Sequence, residues 1–149
     1  MKVVAQRYSL KLVKEVNSPY KLNVKVDSPY AAYKAFIDIL KLDQQAEEVF
    51  GILTLDAKTK ITGVLEVARG SISEALVSPR EVFKRAILNN SKAIILGHNH
   101  PSGDVSISRQ DIKTTEKLVE AGKILGIQIF DHIVVGDSEY SSLKEKGHM

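Results

Sequence analysis

An aliphatic run that ends in a pair of histidines constrains this chain more than any other stretch. Ala93-Ile94-Ile95-Leu96 leads into Gly97-His98-Asn99-His100-Pro101. A short apolar run bounded by turn formers reads as a buried strand, which Gly97 is expected to stop. At the tip of such a strand, residues two apart face the same side, about 6.6 Å from each other along the chain. Two imidazoles placed in this way can converge on one cation, with bonds of about 2.0–2.1 Å if it is zinc. Pro101 and Gly103 then turn the chain. Ser108-Arg109-Gln110-Asp111 follows in the pattern Ser-x-x-Asp, ahead of Ile112, Leu118 and Val119, and reads as a helix start. Asp111 falls in the first helical turn, where the helix dipole favours a carboxylate. The loop between is long enough to fold that carboxylate back toward His98 and His100. A His, His, Asp set with a fourth position for water has the form of a catalytic zinc site rather than a structural one.

The rest of the chain supplies a frame for that tip. Tyr8–Leu12 and Leu22–Val26 alternate around Asn17-Ser18-Pro19, so residues 1–27 read as a strand pair. Ser28-Pro29 caps a helix expected to reach about Leu42, with Tyr30 and Tyr33 as core packing. Glu48–Asp56 and Ile61–Ala68 read as a hairpin around the turn at Ala57-Lys58-Thr59-Lys60. Ser71 to Val77 reads as a further short strand or extended loop. Ser78-Pro79-Arg80-Glu81 is a second capping pattern, opening a helix to about Asn89 or Asn90. The helix from Ser108 is expected to end near Gly122 or Gly126, and Ile127–Val135 closes the sheet. Ser138 to Met149 is polar and is expected to pack loosely. The order predicts an α/β fold: a single mixed β-sheet flanked by helices, with residues 28–149 as the core of one domain.

Composition narrows the classes. At 149 residues and 44% hydrophobic, the chain can bury a core, and no apolar run approaches the ~20 residues of a membrane span. The absence of cysteine excludes disulfides and thiolate metal sites and fits a cytoplasmic setting, as does an N-terminus without the apolar run of a signal peptide. The net charge of +3 is concentrated early, at Lys2, Arg7, Lys11, Lys14, Lys21, Lys25 and Lys34. That permits contact with nucleic acid, although a solvated strand face explains it as well.

His98-x-His100, seven residues, then Ser108-x-x-Asp111 resembles the JAMM motif of the JAB/MPN metallopeptidases. The words His-Asn-His-Pro-Ser-Gly and Asp131-His132-Ile133-Val134-Val135-Gly136, with Pro79-Arg80-Glu81-Val82-Phe83, are similar to the RadC-like branch. Gly70-Ser71 stands where that branch tends to have Gly-Thr. The likeness runs from about Ser28 to the C-terminus. It implies a JAB/MPN-like, cytidine-deaminase-like layered fold and a zinc-dependent peptidase or isopeptidase acting on a peptide or protein conjugate. His98, His100 and Asp111 would then hold Zn2+, Glu48 would act as the base, and Ser108 would help hold an oxyanion. Glu47 is the rival to Glu48, since adjacent strand residues face opposite ways. Asp131 and His132, inside the closing strand, are either supports of a metal ligand or a satisfied core pair. A second function class is a non-enzymatic accessory module in DNA repair, which the RadC likeness and the early basic residues allow.

Overall fold

Val49–Leu55 (β1) and Ala93–Asn99 (β3) are buried at every position. Strands with no polar face need cover on both sides. The computed structural model describes Ser9, residues 24–72 and residues 76–149. In it β1 lies between Ile61–Arg69 (β2) and β3, antiparallel to both, while β3 pairs in parallel with Gln128–Val135 (β4). Tyr140–Ser142 (β5) adds an antiparallel edge, giving a five-stranded mixed sheet in the order β2-β1-β3-β4-β5. Parallel neighbours cannot be joined by a tight turn; the helix Arg109–Leu125 (α3) makes that crossover.

Alternation along the strands divides the core in two. Pro29–Ile39 (α1) brings Ala32, Tyr33 and Phe36 onto Leu53, Leu55, Ile95 and Ile133. On the other face Pro79–Leu88 (α2) and α3 bring Val82, Phe83 and Leu118 onto Phe50, Ile52, Ile94 and Leu96. Gly97 does not end β3, which continues to Asn99. A Cβ at Gly97 would stand 2.5 Å from two ring carbons of Phe36. The glycine therefore lets α1 lie close on the strand while the backbone stays extended through His98.

The serines at 28, 78 and 108 each accept a backbone N–H three residues on, as helix N-caps do. Only α3 completes the reciprocal box, its Asp111 carboxylate accepting Ser108 N–H. In α2 the Glu81 carboxylate turns forward instead, to Lys84 at 2.6 Å and Arg85 at 3.3 Å. Helix α1 stops at Ile39, short of Leu42, because Lys41 takes a left-handed φ of 52° and leads into a 3-10 turn, Leu42–Gln44.

The C-terminal stretch is split: Tyr140 to Leu143 pack into the fold, contrary to the reading of its polar composition, while residues 144–149 are exposed, in keeping with it. Tyr140 stacks on Tyr33 with ring centroids 4.9 Å apart, and Leu143 is fully buried. Ser141 and Ser142 pair with Val134 and Ile133 in the sheet. Of the expected N-terminal strand pair, the Tyr8–Leu12 strand, Ser9 apart, and residues 22–23 lie outside the described residues. Lys25 makes an antiparallel bridge to Lys60. Of the segment Ser71 to Val77, residues 73–75 also lie outside them, and the flanking residues join no strand. Among the described residues, no helix is long and apolar enough to cross a membrane.

Candidate metal centre

His98 lies on β3 and points to the α3 side of the sheet, next to Leu96 and Ile94 in the alternation. His100 follows just past the strand, where His100 O accepts Gly103 N–H at 2.8 Å and the chain turns through Gly103 at φ +79°. This turn carries the chain to Ser108 and the first turn of α3. The result brings His98 Nε2 and His100 Nε2 to 3.0 Å. Asp111 Oδ1 is 3.2 Å from His98 Nε2, and Oδ2 is 3.6 Å from His100 Nε2. Glu48, just before β1, joins them: Glu48, His98 and His100 each offer a donor atom within 4.8 Å of the others. Glu47 does not. Its carboxylate is half-exposed and lies 3.8 Å from Arg69 Nη1. Ser108 lines the same cavity, of about 260 Å³, with Phe50, Ile72, Val77 and Gln110. Its hydroxyl oxygen accepts Asp111 N–H at 3.0 Å, a bond that leaves its own hydrogen free to donate.

Hydrogen bonds determine which imidazole nitrogens carry protons. Thr115 Oγ1 donates to the carbonyl of Asp111 and stands 2.6 Å from His132 Nδ1. With its only hydrogen used, that hydroxyl accepts, so His132 is protonated at Nδ1 and offers Nε2 as an acceptor. Burial, aided by the neighbouring His98, holds the His132 pKa well below the usual value and keeps the ring neutral. His98 Nδ1, 2.8 Å from His132 Nε2, must then donate to it. His100 Nδ1 donates to the Asp104 carbonyl at 2.7 Å. In each neutral ring this leaves the lone pair at Nε2, on the cavity side, and a proton taken up there is donated to the Asp111 carboxylate.

Two such lone pairs at 3.0 Å repel unless a proton or a cation lies between them. The Asp111 carboxylate raises the His100 pKa, against the opposing effect of burial. For Asp111, burial pushes the pKa up, but hydrogen bonds from His100 and His98 outweigh it and hold the carboxyl well below the usual range. The site thus attracts positive charge. The donors are close enough together to hold one divalent cation; for comparison, donors at about 2.0–2.1 Å from a tetrahedral zinc ion stand about 3.3 Å apart. The observed separations of 3.0, 3.2 and 3.6 Å bracket that value.

The closing strand separates the other two candidates. The β3–β4 register slips between Ile94 and Leu96, so that one extra residue of β4 is accommodated before His132. This bulge turns His132 to the side of Ile129 and toward Thr115. Asp131 is not brought to the site. Its carboxylate accepts His132 N–H at 2.7 Å, Ser142 Oγ–H at 2.7 Å and Lys144 N–H at 3.2 Å, tying β5 to β4. Asp104 is a turn residue, its carboxylate accepting Ser106 N–H at 2.9 Å. Sequence reasoning overlooked Thr115, although its place four residues after Asp111 on a helix puts both on one face.

Comparisons with known proteins cover the part of the chain that carries the site. The chain is 49% identical to the UPF0758 protein of Methanosarcina mazei over 123 residues, which are 83% of this chain and 53% of that protein. A UPF0758 protein of Clostridium perfringens is 42% identical over 123 residues, 83% of this chain and 53% of its own. One from Alkaliphilus metalliredigens is 52% identical over 103 residues, 69% of this chain and 44% of its own. The chain therefore spans about half the length of the curated relatives it matches. The family model of the RadC-like JAB domain matches residues 26–148, a span that takes in Glu48, both cavity-facing histidines and every element of the sheet. By that match, the chain belongs to the RadC-like JAB domain family.

Proposed function

We propose that this domain is a zinc-dependent hydrolase that cleaves a peptide or isopeptide bond in a peptide or protein conjugate. The observation that carries the reading is the convergence of Glu48, His98, His100 and Asp111 on one cavity, with the Nε2 atoms of both imidazoles turned to the Asp111 carboxylate. His98, His100 and Asp111 would hold the ion. Zinc in such a site supplies Lewis acidity, lowering the pKa of a water toward about 7 and polarising a carbonyl. Glu48 would take a proton from a water in the cavity and return it to the departing amine. Ser108, accepting from Asp111 N–H, keeps its own hydrogen for the oxygen of the attacked carbonyl. The apolar wall of Phe50, Ile72 and Val77 limits water around the reacting groups.

Elemental analysis of the protein with a fluorogenic peptide library tests this. About one zinc per chain is expected, lost in His98→Ala. Glu48→Gln should keep the zinc and lose about 10²–10⁴ in hydrolysis, the usual contribution of a general base. A protein that retains no divalent metal and hydrolyses nothing overturns the reading.

A further inference from the structure

Asn99 stands between the two histidines, yet alternation points its side chain to the other face of β3. It is 2% exposed. Its Oδ1 accepts Val49 N–H at 2.7 Å, and its Nδ2 donates to the Glu47 carbonyl at 3.0 Å. Both partners are backbone groups of fixed polarity, so the orientation of the carboxamide is forced. The two bonds bracket Glu48, whose own carbonyl accepts Gly70 N–H at 2.9 Å. The β1–β3 ladder reaches only as far as Phe50 opposite His98. Beyond that pair, the Asn99 carboxamide holds together what backbone pairing no longer joins. The Glu48 carboxylate lies within 4.8 Å of His98 and His100 ring nitrogens, and the backbone from which it reaches them is the one these bonds hold.

Resting on the hydrolase reading above, we propose that Asn99 is a positioning residue that fixes the Glu48 backbone to the strand carrying His98 and His100, so that base and ligands move as one unit. Among the described residues, Asn99 is the β3 side chain that hydrogen-bonds to the backbone on either side of Glu48. Asn99→Asp keeps the shape and the acceptor but sets a second acceptor against the Glu47 carbonyl. Asn99→Leu removes both bonds.

The full chain is loaded with cobalt(II), and its visible absorption is followed against pH for the wild type, Glu48→Gln, Asn99→Asp and Asn99→Leu. The expected result is equal cobalt uptake by all four. Glu48→Gln displaces the pH midpoint of the bands, and both Asn99 variants displace it in the same direction. A purely structural asparagine would lower the melting temperature and leave the midpoint where it was; that result overturns the inference and leaves the metal reading standing. No cobalt uptake by the wild type overturns the metal reading itself, and a midpoint unmoved by Glu48→Gln overturns both. If circular dichroism shows both Asn99 variants unfolded, hydrogen exchange of Val49 in the wild type decides. Protection like that of the β1 core supports the clamp, and free exchange overturns it.

Discussion

Replacing Thr115 by Val should weaken zinc binding although no ligand is changed. Thr115 is fully buried, and its hydroxyl is the acceptor that keeps the His132 proton on Nδ1, 2.6 Å away. Valine has the same shape and no acceptor. The His132 N–H is then left buried without a partner, at a cost of roughly 1–3 kcal/mol. For a domain of this size that lowers the melting temperature by about 2–4 °C per kcal/mol. The cheaper response is for the proton to move to Nε2. That nitrogen is 2.8 Å from His98 Nδ1, so His98 must give up its own Nδ1 proton and carry one on Nε2, the atom facing the cavity. A metal has to displace that proton. Loss of such a supporting hydrogen bond costs about 10–100-fold in metal affinity. Competition against a chromophoric chelator reads the affinity, and Thr115→Ser, which keeps the hydroxyl, should bind as the wild type does. If Thr115→Val melts earlier but binds zinc with unchanged affinity, the chain from Asp111 through Thr115 and His132 does not set the state of His98.

Other outcomes follow from the same structure. Gly97→Ala puts a methyl 2.5 Å from the Phe36 ring, and should cost roughly 1–3 kcal/mol, read as an earlier thermal transition. Asp131→Ala leaves Ser142, Lys144 and His132 without their acceptor and should cost a similar amount, with faster hydrogen exchange along β5. Zinc stabilisation should shrink in acid. The raised His100 pKa adds stability to the metal-free fold below the unfolded value of about 6.5, and this is lost as pH rises through the folded value. The metal needs that same imidazole neutral, so the zinc-induced rise in melting temperature should be large near pH 8 and small near pH 5.5, roughly. A rise independent of pH would exclude His100 as a ligand.

The centre was legible where local rules decide it. His98 and His100 are two apart at a strand tip, and Ser108 and Asp111 are three apart at a helix start; both spacings follow from backbone geometry alone. Glu48 could be told from Glu47 only in the fold, because alternation says that one of them points inward and not which. His132 was harder still. Strict alternation along the closing strand sets it opposite Ile129, and the bulge, which no residue type announces, turns it to the same side. Asn99 reads as a turn former in a list of letters, and its contacts lie 50 and 52 residues away. The C-terminal stretch misled for a related reason. Ser141 and Ser142 are satisfied by sheet pairing, and Ser142 also by Asp131, so these two are buried while residues 137–139 and 144–149 around them stay exposed.

Asp111 holds two offices at once: it faces the imidazoles, and its Oδ2 receives the Ser108 N–H that begins α3. A descendant in which the chemistry had lapsed would still gain from an aspartate there, to start its helix. Among the described residues the Glu48 carboxylate caps no helix, and drift would erase it first. On the hydrolase proposed above, the residue before β1 is therefore a better witness to retained chemistry in a related chain than the aspartate at the head of the helix.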